Sequence, residues 1–358
     1  LFGMTEEELQ VAHALLRDGE YALLVRRNEP PKEGVLDYAE LESDVLGNYM
    51  KADRLLRLLL VENPYDYEAW LARGDNYMRW GELQPERLED ARQAYARLIQ
   101  RYGDTDQLLF RMLAYFMAVD NLDQVLVLAE IFQEDPDAQI EPQIYADLAG
   151  YLIDKDRLGQ VEDILFRTMD RTPNLPDVHY HLARYYRDAQ EIGEERVALA
   201  NAQRLLEFEQ PVDAKRRRML IDTYIRTGEN DYRAERFLDA QEAFEHAIEL
   251  YETSRDRDQL GPDPDLARAY ARLGDVHYYV ARDFGPALER FDQAEALGHR
   301  SSELDYKQGF VLYRTNEYNA ALQEFLQAER ELPRNDNVLY SIANTHFQRR
   351  NFYAAEAY

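Results

Sequence analysis

His179 and His181 are the only neighbours among seven histidines. Two residues apart on a helix, their rings point in divergent directions, so they are not expected to share a metal. Asp263 and Asp265 form a D-x-D pair without the remaining oxygen ligands of a calcium loop, and read as a polar turn. The sequence contains no G-x-x-x-x-G-K phosphate loop, no H-E-x-x-H zinc helix and no serine on a nucleophile elbow. It contains no cysteine, which excludes thiolate nucleophiles, thiolate metal sites and disulfides. With 69 acidic residues, carboxylate pairs are everywhere, and none singles itself out for acid–base work. The basic run from Lys215 to Arg218 is expected to make internal salt bridges. No enzymatic activity, no metal and no cofactor are expected.

What remains for chemistry is binding by surface side chains. The formal net charge is −27, which opposes association with a phosphate backbone, so nucleic acid is not an expected partner. Of the 42 basic residues only Lys32, Lys51, Lys155, Lys215 and Lys307 are lysines. The arginine excess suits bidentate pairing with carboxylates, although codon usage would give the same bias. No apolar run approaches the roughly 18 residues needed to span a bilayer, so direct membrane insertion is not expected. The longest apolar stretches, around Met112–Val119 and Val125–Ala129, are core-length. The lack of cysteine is compatible with an oxidising compartment and favours an extracytoplasmic, periplasmic location over a cytoplasmic one.

The elements that must carry this surface are set by an internal echo. Ala287, Phe291 and Ala294 recur as Ala321, Phe325 and Ala328, an interval of 34 residues, and Ala355 falls on the next beat. Gly274 and Gly309 open these two units, and Gly228, Ala240, Phe244 and Ala247 give an earlier copy with the same internal spacing. Near the front, Trp70, Gly74 and Tyr77 form the pattern W-x-x-R-G-x-x-Y. Apolar residues recur at three and four within each unit, as an amphipathic helix requires, and no stretch alternates as a strand would. Small residues in this register let paired helices approach, and Trp70, Phe244, Phe291 and Phe325 are expected to fill the gaps they leave. Pro64, Pro173 and Pro333 stop second helices where the chain turns into the next unit.

These residues closely resemble the tetratricopeptide repeat, and the resemblance covers nearly the whole chain. It implies an all-α fold, a right-handed α-solenoid superhelix of stacked helix-turn-helix units. Residues 1–32 are expected to hold a degenerate helical pair and 33–254 a repeat array. A loop or hinge is expected at 255–266, followed by C-terminal repeats at 267–358 whose last unit is truncated. Unit starts are expected near 33, 67, 142, 176, 221, 267, 302 and 336, with a degenerate unit at 106–141 and an extra segment at 208–220. Because Tyr358 falls inside a helix that the repeat would continue, the sequence reads as a piece of a longer protein, with possible self-association through its exposed C-terminal end.

In proteins of this kind, first helices line a concave groove and bind a peptide or a partner protein through their second, fifth, sixth, ninth, twelfth and thirteenth residues. Carried over, those places include Asp37, Asp44, Glu68, Asp75, Asp147 and Asp154 in the earlier units. In the later units they include Tyr180, Arg184, Arg187, Arg226 and Tyr232. Farther on come Arg268, Arg272, Tyr278, Tyr306, Phe310, Tyr313, Arg314, Tyr340 and Phe347. The groove is thus expected to run from acidic to aromatic and basic, with partner binding concentrated in the later units. Arg268 and Arg272 occupy the basic places of the family's carboxylate-gripping site. Glu229 and Arg184 stand where that site needs asparagine, which argues against the standard grip. The expected function is a non-enzymatic protein-interaction scaffold. Alternatives are a structural subunit of a cell-envelope assembly, similar to periplasmic flagellar collar components, or a regulatory sensor module of a longer protein.

Overall fold

The computed structural model describes residues 32–134, 141–209, 214–254 and 264–358. The chain divides into two compact units, Leu1–Pro173 and Asn174–Tyr358. Among the described residues every regular element is helical. The first unit contains α1 (Lys32–Glu40), which continues into a π-helical turn at Leu41–Val45, then α2 (Tyr49–Glu62), α3 (Tyr67–Leu83) and α4 (Arg87–Tyr102). It goes on with α5 (Asp106–Ala118), α6 (Leu122–Glu134), α7 (Pro142–Asp154) and α8 (Val161–Arg171). The second unit contains α9 (Pro176–Asp188), α10 (Ile192–Glu209), α11 (Ala214–Arg233), α12 (Phe237–Thr253) and α13 (Pro264–Val276). A π-helical turn at His277–Ala281 leads to α14 (Phe284–Ala296), α15 (Ser302–Arg314), α16 (Tyr318–Glu331), α17 (Asp336–Gln348) and α18 (Phe352–Ala357). Within each unit the helices pack in consecutive pairs, α3 on α4 and α15 on α16 among them.

Local chemistry sets the helix ends. The side chains of Asp66, Thr105, Ser301 and Asn335 accept hydrogen bonds from backbone N–H groups in the first turns of α3, α5, α15 and α17, satisfying donors that the helix cannot. Pro142 and Pro176 sit in the first turns of α7 and α9, where their missing N–H has no helical partner to lose. Most turns inside a pair follow one pattern: a residue at positive φ, then an N–H that reaches back five residues. Asn316 (φ 69°) precedes Glu317 N–H to Leu312 O at 2.8 Å, and Gln190 (φ 62°) precedes Glu191 N–H to Tyr186 O at 2.8 Å. Where it occurs, this closure satisfies late carbonyls of the first helix.

The small-and-large beat packs as its spacing implies. Ala287, Ala294, Ala321 and Ala328 are fully buried, with Phe291 and Phe325 between them. A Cβ on Gly309 would sit 2.7 Å from the Phe325 ring, so only glycine lets α15 and α16 close around that ring. In the first unit the aromatic under Gly74 is Tyr95, 2.3 Å from where a Cβ would stand. Trp70 does not fill that gap as expected: it is half-buried and its indole Nε1 donates to Pro64 O at 3.0 Å. The degenerate unit also forms a pair, with Phe110 of α5 and Phe132 of α6 stacked at 4.2 Å.

Two details differ from expectation. Residues 214–220, read as an extra segment ahead of a unit starting at 221, are the first two turns of the 20-residue helix α11. Residues 264–266, read as the end of a loop, open α13. The helical pair expected before residue 32 and the rest of the 255–266 loop lie outside the described residues.

Candidate functional site

In the second unit the first helices of successive pairs, α9, α11, α13 and α15, meet edge to edge through charged side chains. Three clusters result. Between α9 and α11, Asp222 accepts the Tyr180 hydroxyl at 2.6 Å and Arg226 Nε at 2.5 Å. Burial raises the Tyr180 pKa, and the Asp222 charge adds to it. Burial alone would lower the Arg226 pKa, but Asp222 outweighs it and the guanidinium is held charged. Arg184 lies 3.4 Å from His181 Nδ1. His181 is pushed down to about 3 by burial first and then by Arg184, Lys215 and Arg226, so the ring is neutral at ordinary pH.

The second cluster centres on Glu229 of α11, which is held from both sides by Arg187 of α9 at 2.9 Å and by Arg268 of α13. Arg268 also reaches Asp265 at 2.7 Å. In the third, Lys307 of α15 donates to Asp275 of α13 at 2.6 Å and pairs with Glu303 at 2.7 Å. Burial opposes the Lys307 charge, but Asp275 and Glu303 outweigh it and raise its pKa. Arg272 approaches the same Asp275 at 3.2 Å and lies 5.2 Å over the Tyr232 ring.

A cleft of about 250 Å³ opens beside this third cluster, lined by Arg268, Arg272, Asp275, His299, Glu303 and Lys307. His299 is pushed down by burial first and then by Arg268 and Arg272, so it adds a neutral donor or acceptor at ordinary pH. The cleft is bounded on one side by the capped start of α15, where Ser301 accepts from Leu304 N–H at 3.2 Å.

The aromatic candidates divide. Tyr278 packs edge-on against Phe310 at 5.7 Å and near Phe291 at 6.4 Å, Tyr306 lies 5.7 Å from Phe325, and Tyr313 lies 5.6 Å from Tyr318. Arg314 caps the Phe284 ring at 5.4 Å. Tyr278, Tyr306, Phe310 and Tyr313 pack against two hydrophobic clusters between neighbouring helices before they present anything outward. Tyr340 and Phe347 on α17 are different, with 69% and 57% of their surface exposed. The acidic places of the first unit are also engaged: Asp44 pairs with Arg79 at 2.9 Å, Glu68 with Lys32 at 2.6 Å, and Asp75 accepts the Tyr95 hydroxyl at 2.6 Å.

Spacing therefore brought Arg187 together with Arg268 around Glu229, and Tyr232 with Arg272. The carboxylates that hold them, Asp222, Glu229 and Asp275, occupy the same register and were legible by it, as were Glu303 and Lys307. A search for aromatic and cationic types passes the carboxylates over, although they decide which cations keep free donors. Arg216, in the basic run, pairs with Asp177 at 3.0 Å and Glu209 at 2.9 Å. Among the described residues no group of three or more His, Asp or Glu side chains could hold a metal ion, and no helix is long and apolar enough to cross a membrane.

No protein-family model matches the sequence, and no curated protein matches it significantly. Solved structures do match it in fold. The chain is similar to one in the Cut9–Hcn1 hetero-tetramer of the APC/C, with a TM-score of 0.51 at 12% identity over 86% of this chain. It spans 55% of the length of that chain. Human IFIT1, solved as a dimer with m7Gppp-AAAA, gives a TM-score of 0.50 at 12% identity over 95% of this chain and 75% of its own. PilW, a type IV pilus biogenesis factor, gives 0.50 at 14% identity over 63% of this chain and 96% of its own. With helices packing in consecutive pairs, and a first-helix glycine closing on a second-helix aromatic ring in several of them, the fold is an all-α helical repeat of the tetratricopeptide type.

Proposed function

We propose that this chain is a non-enzymatic scaffold that binds a segment of another protein along the first helices of its second unit. An acidic side chain of that segment is anchored in the cleft between α13 and α15. The observation that carries this reading is Arg272. Among the described residues its single polar contact, at 3.2 Å, goes to an Asp275 already held by Lys307, and its face rests on Tyr232, so most of its five N–H donors are uncommitted there at the edge of a concave site. A stacked guanidinium is also held in place in advance, which reduces the ordering cost of binding. Tyr313 and the exposed Tyr340 and Phe347 offer apolar contact farther along the same register.

The test is quantitative affinity capture with the intact chain and with an Arg272→Ala/Tyr313→Ala variant whose helicity is checked by circular dichroism. A partner anchored here loses on the order of 2 kcal/mol or more of binding free energy in the variant. Replacing Asp37 and Asp147 with alanine in the first unit costs less than about 1 kcal/mol. A partner that is lost only with the aspartate changes places the binding face in the first unit and refutes the reading.

A further inference from the structure

The first unit carries a second, differently built cavity, of about 540 Å³, within the usual range of roughly 300–1,000 Å³ for ligand pockets. It lies where the α2–α3 turn and the first turns of α3 meet the last turns of α4, away from the first-helix register discussed above. Its walls are Tyr65, Trp70 and Tyr102, and its cations are Arg97 and Arg101. The walls are fixed by their own hydrogen bonds. Trp70 Nε1 donates to Pro64 O at 3.0 Å, and the Tyr102 hydroxyl donates to Tyr65 O at 2.6 Å. Tyr67 braces Tyr102 edge-on at 5.3 Å.

The arginines set this cavity apart. Arg101 lies 4.0 Å over the Tyr65 ring and Arg97 lies 4.7 Å over the Trp70 ring. Neither makes an ion pair or a hydrogen bond among the described residues, in a chain with 69 acidic residues against 42 basic ones. In such an excess of carboxylate, two adjacent unsatisfied guanidinium groups on one helix are a local reversal of charge. A guanidinium stacked by its face keeps its in-plane N–H fork, the geometry that grips a carboxylate bidentately. The rings beneath supply apolar contact for whatever adjoins that carboxylate.

We infer that Arg97, Arg101, Tyr65, Trp70 and Tyr102 form a binding site for a short acidic peptide segment with an aromatic or aliphatic residue beside its carboxylate. Two guanidinium groups match one or two carboxylates. A long polyanion such as a nucleic acid would bring many more charges against a chain of net charge −27 and be repelled by it.

The chain has two tryptophans, so Trp80→Phe leaves Trp70, in the cavity wall, as the sole indole reporter. In that background the intact chain is titrated with an acetylated, amidated Gly-Glu-Phe-Glu-Gly peptide, with its Gly-Gln-Phe-Gln-Gly counterpart, and with ATP. The glutamate peptide should give a saturable change in Trp70 fluorescence that weakens with added salt. The glutamine peptide should bind at least about tenfold more weakly. Arg97→Ala/Arg101→Ala should lose the response with an unchanged melting temperature, and Arg97→Lys/Arg101→Lys should fail to restore it, because lysine has no planar fork. Arg272→Ala/Tyr313→Ala should leave the response intact, which separates this site from the proposed groove. Equal affinity for the two peptides, no saturable response to millimolar glutamate peptide, or tighter binding of ATP than of the peptide would each overturn the inference.

Discussion

Two sets of arginines, one in each unit of this chain, meet different fates, although other first-unit arginines such as Arg73 and Arg79 are paired with carboxylates. On the first helices of the second unit, Arg187 and Arg268 grip Glu229 from opposite sides and so join helix to helix, while Arg226 holds Asp222 of its own helix beneath the Tyr180 hydroxyl of α9. On α4 of the first unit, Arg97 and Arg101 lie on the rings of Trp70 and Tyr65 and meet no carboxylate among the described residues. Residue type and position in a repeat therefore do not decide whether an arginine is structural or available to a ligand. The deciding factor is whether the neighbouring element offers a carboxylate at the same height. Arg272 is intermediate, sharing one carboxylate with a lysine that holds it more closely.

The largest test of this contrast is to remove a carboxylate that joins two helices. Asp275 and Lys307 keep only 4% and 7% of their side-chain surface, so Asp275→Ala leaves a buried ammonium with one exposed partner, Glu303. The expected loss is about 3 kcal/mol or more in urea unfolding, because an uncompensated buried charge costs more than the intact pair contributes. Adding Lys307→Met to that variant should recover most of the loss by removing the orphan charge. A loss below about 1 kcal/mol for Asp275→Ala alone would mean that the pair is not what joins α13 to α15.

A second test exchanges charge for shape. Gly309→Ala places a Cβ 2.7 Å from the Phe325 ring and 3.2 Å from the Glu324 Cβ. Overpacking of this kind costs about 1–3 kcal/mol, while alanine's better helix propensity returns up to about 1 kcal/mol, so a net loss of about 1–2 kcal/mol is expected. Unchanged stability would show that the ring can move aside. It would weaken the account of the 34-residue beat as a fit of small against large.

That beat also marks how far the fold could be read in advance. Gly274, Gly309, Phe291 and Phe325 announce their pairs because each position admits essentially one kind of residue. Trp70 misleads because the same residue type serves here as a cavity wall, with Tyr95 taking the place under Gly74. The turns inside pairs were hard to see because Asp120, Gln190, Glu235 and Asn316, none of them glycine, take the positive φ there. The 214–220 segment was misread for a related reason: nothing local distinguishes an extended first helix from an insertion ahead of it. For the candidate site, periodicity placed the candidate residues in one register, but whether a cation was already neutralised could depend on residues 30 to 40 positions away, such as Glu229 for Arg268.

A third test uses a place in the second unit where carboxylates meet each other. Glu324 of α16 is pushed up to about 6 by burial first and then by Asp305, Glu295 and Asp292 on α14 and α15. Asp305 and Asp292 are themselves raised, again by burial first. With its folded pKa above the ordinary 4.5, Glu324 binds a proton more readily folded than unfolded. Its contribution to stability should therefore rise as pH falls through the window from about 6 to 4.5, and be lost as pH rises again. Because the side chain is part-exposed, solvent screening limits the effect to under about 1 kcal/mol. Urea midpoints for wild type and Glu324→Gln should converge between pH 7 and pH 5; parallel midpoints would remove Glu324 as the cause.

The smallest expected effect is also the most discriminating for the comparison between arginines. Arg268→Ala leaves Glu229, with 10% of its side chain exposed, held by Arg187 alone, and a loss of about 1–3 kcal/mol should follow from the unmet carboxylate lone pairs. Arg101→Ala removes an exposed cation that satisfies no buried group, and its stability should stay within about 0.5 kcal/mol of wild type. Stacking on Tyr65 contributes something, but at an exposed site a cation–π contact is worth only about 0.5–1 kcal/mol, and the freed ring gains hydration of its polar edge in return. Paired urea titrations of the two variants decide the matter. Were Arg101→Ala to cost as much as Arg268→Ala, the α4 arginines would be bracing elements like those of the second unit, and the cavity they line would be a by-product of packing.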